Sequence, residues 1–170
     1  MQVEKSTVTK LYLTEITKPY HLDPITIYLE DLAPCKGKIT IECYGKSWTS
    51  YWGAMGSETI SQFFIEMDNH YLIKNLDPHS SSQVVDYEKI GKDLSSSKEF
   101  HLLDCDLEVY DHETFNYFLS IRGSYKALEE LYGEEWQFNL PEMPNDQYEY
   151  INRIVNAVKE GLKTNQENKS

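Results

Sequence analysis

An alternating run of carboxylates is the stretch of this sequence best suited to chemistry. It comprises Asp104, Asp106 and Glu108, and Asp111 follows closely. Carboxylate oxygens are ligands that hard divalent cations prefer, so the run could bind a metal ion. On a strand, these side chains would share one face at intervals of about 6–7 Å. Phosphates along a DNA strand have a comparable spacing, so the run could instead imitate nucleic acid, or form an ordinary solvated face.

The negative charge of the chain is concentrated towards its C-terminal end. Residues 99–170 contain 15 acidic and 6 basic residues, a net charge of −9, whereas residues 1–98 contain 13 and 10, a net charge of −3. Proteins that bind phosphate backbones need clustered Lys and Arg, so direct binding of nucleic acid is not expected. The distribution fits either a surface that docks on a basic partner or an acidic surface that serves solubility. The candidate acidic contacts are Asp104, Asp106, Glu108, Glu129, Glu130, Glu134 and Glu135.

Other catalytic and metal-binding motifs are absent from the sequence. The five histidines form no H-x-x-x-H pattern, and the three cysteines form no C-x-x-C pair. There is also no nucleophile elbow and no phosphate-binding loop. We therefore predict no catalytic residue, no metal site and no cofactor. A small metal-dependent hydrolase or nuclease that uses His70, His101 or the acidic run is the alternative.

The strongest strand pattern lies in residues 37–56, GKITIECYGKSWTSYWGAMG. Apolar and polar residues alternate on either side of Gly45, which predicts a hairpin that turns over residues 44–47. Trp48 and Trp52 share one face of the second strand. They belong either to the core or, with Tyr51, to an exposed aromatic patch, because Trp is enriched in interface hot spots.

Neighbouring segments extend this hairpin into an α+β fold. Residues 8–16 and 24–32 alternate in the same way, which predicts an antiparallel sheet of about four strands. Apolar residues then recur at helical spacing, predicting a helix from Glu58 to about Asn75 that covers the apolar face of the sheet. The predicted core contains Ile27, Ile39, Ile41, Phe63 and Phe64.

The C-terminal part is predicted to be mainly helical. Patterns indicate helices over residues 84–94, 113–132 and 147–163, with a strand or an irregular bridge over residues 100–109. Together these elements predict a single domain over residues 1–170. Within it, residues 8–76 form the sheet with its helix, and residues 99–163 form an acidic, mainly helical part that completes the core or lies beside it.

The block GKITIECYGKSWTSYWGAMG resembles a family of small proteins encoded by bacteriophages and prophages. Residues 60–64 and 68–76 share this resemblance, which covers about residues 8–76. It implies an accessory phage protein that acts in a bacterial cytoplasm, and it identifies no catalytic residue. Cytoplasmic localisation also follows from the lack of a signal peptide and of a long apolar segment.

These observations favour a non-enzymatic protein that binds and inhibits a host protein. A counter-defence inhibitor with an acidic, nucleic-acid-mimicking surface would fit the charge distribution, and its target would have a basic surface. No membrane contact is expected, and the oligomeric state stays open.

Overall fold

A computed structural model describes residues 1–3, 5–17, 19, 21–103 and 105–168. The chain forms two compact units, Met1–Ser81 with Asp146–Ser170, and Ser82–Asn145. We call the first the sheet unit and the second the acidic unit. The single domain over residues 1–170 stays a prediction, and residues 82–145 form a compact unit of their own.

The fold is α+β, as the sequence predicts. The strands are β1 (Thr9–Leu13), β2 (Ile25–Ala33), β3 (Lys36–Cys43), β4 (Lys46–Trp52), β5 (Gln83–Val85) and β6 (Glu142–Pro144). The α-helices are α1 (Ile60–Glu66), α2 (Asn69–Leu76), α3 (Tyr87–Leu94), α4 (Lys98–His101), α5 (His112–Ser120), α6 (Ser124–Tyr132) and α7 (Asp146–Glu167), and a 3-10 turn spans Trp136–Phe138.

Strands β1 to β4 form an antiparallel sheet in sequence order, which confirms the predicted sheet. The hairpin between β3 and β4 is tighter than predicted, because Cys43 pairs directly with Lys46. Tyr44 and Gly45 alone make the turn, with φ of 48° and 73°. Two positive φ angles match the twist of the flanking strands, which explains why a two-residue turn suffices.

The helix predicted from Glu58 to Asn75 is wrong in one respect, because it is two helices. α1 ends at Glu66, the backbone is extended at Met67, and α2 begins after Asp68. The Asp68 carboxylate accepts a hydrogen bond from the backbone N–H of Tyr71 at 2.9 Å. Such an N-cap stabilises a new helix start, so the structure has two helices although the apolar stripe continues from one to the next.

The core of the sheet unit lies between the apolar face of the sheet and α1, α2 and α7. All five predicted core residues are buried, which confirms that prediction. α7 contributes one apolar stripe to the same core, consisting of Tyr148, Ile151, Ile154, Val155, Val158 and Leu162. This last helix is longer than the predicted 147–163.

The acidic unit has its own core, built from α3, α5 and α6 with the segment before α5. Its buried apolar residues are Ile90, Leu94, Val109, Phe115, Phe118, Ala127 and Leu128. β5 and β6 form a small antiparallel pair.

Two helices predicted in the acidic unit have different bounds in the structure. The predicted helix 84–94 starts only at Tyr87, because Asp86 caps it and residues 83–85 form β5. The predicted helix 113–132 divides at residues 121–123, where Ile121 is extended and Gly123 has a φ of 100°. A positive φ favours glycine and breaks helical geometry, so α5 and α6 are separate.

We expect Phe64→Ala to lower the free energy of unfolding by about 3–5 kcal/mol, because the ring is fully buried in the sheet unit. Phe138→Ala is the matched control, since that ring is 81% exposed. Chemical denaturation checks both variants. A loss below about 1 kcal/mol for Phe64→Ala would contradict the packing of α1 on the sheet.

Gly91 allows α3 to approach the chain before α5. A Cβ at this position would lie 2.0 Å from the backbone oxygen of Val109, which is a severe overlap. Gly91→Ala should therefore destabilise the acidic unit by about 1–3 kcal/mol, although alanine is the better helix former. Gly56→Ala is the control, because nothing lies within 4 Å of its Cβ position. Thermal unfolding of the two variants measures the difference, and equal melting temperatures would contradict the close approach.

Candidate protein-binding surface

The acidic unit carries most of the net charge. Its residues, 82–145, include 14 acidic and 5 basic side chains, a net charge of −9, and the rest of the chain has 14 and 11, a net charge of −3. Two of the five bases already pair with acids on α3. Lys89 contacts Asp93 at 3.0 Å and Lys92 contacts Glu88 at 3.9 Å. Each pair removes one acid and one base, so 12 acidic and 3 basic side chains remain and the excess of nine negative charges is unchanged.

The acidic run that includes Asp106 and Glu108 does not lie on a strand. Both residues are exposed in an irregular segment between α4 and α5, and Asp104 lies outside the described residues. The alternative of a strand over residues 100–109 is wrong, because α4 occupies its beginning and residues 105–110 follow without regular structure. A strand that would fix the spacing of these carboxylates is therefore not observed in the described residues, and the likeness to DNA phosphates stays a prediction.

A second group of carboxylates lies at the end of α6. Glu129 and Glu130 are in its last turn, Glu134 and Glu135 follow Gly133, and all four are exposed. A helix C-terminus carries partial negative charge, so carboxylates there lower stability slightly. The helix has no basic residue in its last turn to offset them.

Glu130 has a structural role that distinguishes it from its neighbours. Its carboxylate accepts a hydrogen bond from the Ser97 hydroxyl at 2.5 Å and another from the backbone N–H of Glu99 at 3.1 Å. These two donors hold the pKa of the Glu130 carboxyl below its usual range. Glu130 thus joins the start of α4 to α6. Within the described part of the chain, the side chains of Glu129, Glu134 and Glu135 have no hydrogen-bond or ion-pair partner.

Trp48 and Trp52 belong to the core of the sheet unit. They are only 9% and 6% exposed, and the Trp52 indole N–H donates to the hydroxyl of Tyr71 at 3.1 Å. Its ring also packs on Phe63, with 5.2 Å between the ring centroids. Of the two alternatives for these tryptophans, the structure therefore shows the core. Tyr51, which alternates with them, is exposed on the opposite face of the sheet. Partner binding through this group stays a prediction.

Phe138 is an exposed aromatic residue that the sequence pattern did not single out. It lies in the 3-10 turn and is 81% exposed. The sequence predicts a connecting segment over residues 136–145, because Pro141 and Pro144 interrupt any helical or strand periodicity. The available signal was the pentapeptide Glu134–Phe138, EEWQF, in which two carboxylates are followed by two aromatic residues with one glutamine between them.

Of the two histidines named for the alternative enzyme, His70 makes a polar contact and His101 packs on Phe100. The Nδ1 atom of His70 lies 2.9 Å from the hydroxyl of Tyr148. The sulfur of Cys43 lies 3.5 Å from the hydroxyl of Tyr150. Burial of the Tyr150 hydroxyl, and to a smaller extent its contact with Cys43, raises the pKa of Tyr150 to about 12. In the described ranges, no three His, Cys, Asp or Glu side chains are grouped so that they could hold a metal ion.

A cavity of about 810 Å³ lies in the sheet unit between β1, the chain that follows β1, and α7. Its apolar wall includes Leu11, Leu13 and Leu22, and its polar wall includes Asn156 and Glu160. Ligand-binding cavities commonly have volumes of roughly 300–1,000 Å³. No candidate residue from the sequence lines this cavity.

The structure is thus an α+β protein in which a helical, acidic unit lies between α2 and α7 in sequence. The chain belongs to the Phage_phiTE_072 phage family, whose model matches residues 1–164. This match confirms the resemblance to phage proteins and extends it beyond residues 8–76, through the whole acidic unit. No curated protein and no solved structure matches the chain. Among the described helices, none has the length and apolar character needed to cross a membrane.

Replacing Glu130 with Gln should lower stability at neutral pH, since Gln cannot accept the same charge-assisted hydrogen bonds. A carboxyl whose folded-state pKa is lowered stabilises the fold above its unfolded-state pKa, and this contribution disappears as the pH falls through the folded-state pKa. The difference between wild type and Glu130→Gln should therefore be largest near neutral pH and shrink in acid. Thermal unfolding at several pH values measures it.

Glu129→Gln is the matched control for this experiment. It removes the same charge from the same helical turn, but it breaks no hydrogen bond of the described residues. We expect its stability to equal or slightly exceed that of wild type, because a carboxylate near a helix C-terminus is unfavourable. Equal losses for the two variants would show that the link from Glu130 to α4 contributes nothing specific.

Proposed function

We propose that this phage protein is a non-enzymatic inhibitor that binds a host protein through the exposed carboxylates of the acidic unit. The observation that carries the proposal is the charge of residues 82–145, −9 of the total of −12. Opposite potentials accelerate the encounter of two proteins, so this unit favours a partner with a basic surface.

The position of the carboxylates supports a role in binding. Glu129, Glu134 and Glu135 lie near the end of α6, where carboxylates are unfavourable. Among the described residues, their side chains form no hydrogen bond or ion pair that would offset this cost. Glu130 is the exception, because it accepts the two hydrogen bonds from α4. Exposed carboxylates also serve solubility, so the support comes from their concentration in one unit of the chain.

A basic surface that binds nucleic acid is the natural target for such a unit. The proposed inhibitor would occupy that surface by charge alone, and this requires no imitation of the phosphate spacing. The proposed place of action is the cytoplasm of the bacterial host, where a defence or nucleic-acid-handling protein would be blocked. Membership of a phage family supports this context.

The test uses the double variant Glu134→Lys/Glu135→Lys. The partner is first captured from lysate of the bacterial host with the wild-type chain and then purified. We expect the reversal to slow association by about tenfold at low ionic strength and by much less at high ionic strength, because salt screens the attraction. Dissociation should change little, and stopped-flow or biosensor kinetics separate the two rates.

Glu58→Lys/Glu167→Lys is the matched control. It makes the same change in net charge, but both residues are exposed in the sheet unit. If the control slows association as much as the test variant does, the slower association results from the change in net charge alone, and the proposed binding surface is wrong.

Tyr51→Ala tests the competing aromatic surface, because Tyr51 is the exposed member of the group with Trp48 and Trp52. Loss of binding in Tyr51→Ala, together with unchanged association after charge reversal, would move the binding surface to the sheet.

A further inference from the structure

Phe138 combines a highly exposed ring with a backbone that is held by hydrogen bonds. The ring is 81% exposed, although Phe side chains are usually buried. The backbone that carries it is not a free loop. The N–H of Phe138 donates to the Glu135 carbonyl at 2.9 Å, and the Asn139 side-chain amide donates to the Tyr132 carbonyl at 3.0 Å. The turn is therefore attached to the end of α6.

Trp136, the first residue of the same turn, also holds it against the acidic unit. Its ring packs against Tyr125 on α6, with 5.7 Å between centroids, and against Phe115 on α5, with 6.5 Å. Trp136 is partly buried against the core of the acidic unit, whereas Phe138, two residues later, projects into solvent. A turn whose backbone is already ordered loses little backbone freedom on binding, and a Phe side chain has only two torsion angles to fix, which favours a role as an anchor.

The surroundings of Phe138 are negatively charged. Glu134 and Glu135 immediately precede the turn, and Glu129 lies one helical turn after Tyr125 on α6. Both Tyr125 and the three carboxylates are exposed. Interfaces commonly have an aromatic residue at the centre and polar residues at the rim, which exclude water from it.

We propose that Phe138 is the anchor of the binding surface and inserts into an apolar pocket on a partner protein, where Lys and Arg residues of the partner border the pocket and face Glu129, Glu134 and Glu135. This inference rests on the proposed function and specifies the partner's chemistry. Charge complementarity selects this occupant over a second copy of the chain, because two acidic units of −9 would repel one another.

The experiment compares two defined probes that differ in apolar content. Poly-L-lysine supplies positive charge alone, and an amphipathic helical peptide of Leu and Lys supplies charge bordering an apolar face. Fluorescence anisotropy measures their binding to the full chain. The variants are Phe138→Ser and Phe138→Leu, with Tyr117→Ser as the control, because Tyr117 is an exposed aromatic of the same unit at 62%. Thermal unfolding verifies that each variant is folded.

We expect wild type to bind the Leu/Lys peptide more tightly than poly-L-lysine. Phe138→Ser should weaken binding of the Leu/Lys peptide by about tenfold or more and leave poly-L-lysine binding unchanged. Phe138→Leu should recover most of the loss, because leucine is also apolar, and Tyr117→Ser should behave as wild type.

Three outcomes would overturn the inference. Equal binding of the Leu/Lys peptide by wild type and Phe138→Ser would remove the anchor but leave the acidic surface in place. An equal loss for both probes in Phe138→Ser would show that the residue acts through the charges rather than through apolar contact. Failure of wild type to bind either probe would contradict the proposed function as well as the anchor.

Discussion

The apolar face of the four-stranded sheet is the constraint on which the rest of the sheet unit depends. Ile25, Ile27, Ile39 and Ile41 are fully buried on that face, and a single short helix could not cover them. Three helices do so, and one of them, α7, comes from the other end of the chain. Because α7 is needed there, residues 82–145 lie between two segments of one core and form a second core of their own.

The sequence predicted the elements whose patterns are local and failed where two local signals compete. Strands β1 to β4 follow from alternation alone, and the stripe through Phe63 and Phe64 correctly predicted a helix on the sheet. The break at Met67 was missed, because the same apolar stripe continues across it while the Asp68 cap starts a new helix. Gly91 is a poor helix former within α3, yet its missing side chain is what allows the contact with Val109.

The candidate protein-binding surface was only partly predictable from the sequence, because exposure and hydrogen bonding are not local properties of the chain. Charge excess is a property of composition, so the sequence located it well, but exposure and bonding depend on the fold. Nothing in the sequence separates Glu130, which is bonded to Ser97, from Glu129 beside it. Likewise, Trp52 and Phe138 are both large aromatic residues, and only the packing in the structure shows that one is 6% and the other 81% exposed.

The two ends of the acidic unit meet. β5 pairs with β6, and the N–H of Asn145 donates to the Ser82 carbonyl at 3.1 Å, so the chain enters and leaves this unit at adjacent points. Because the two ends of this segment are adjacent, its length and sequence can change without altering the distance between the residues that flank it, Ser81 and Asp146. The entropy of closing such an insertion rises only slowly with its length. A change in the length of residues 82–145 should therefore cost the sheet unit little stability.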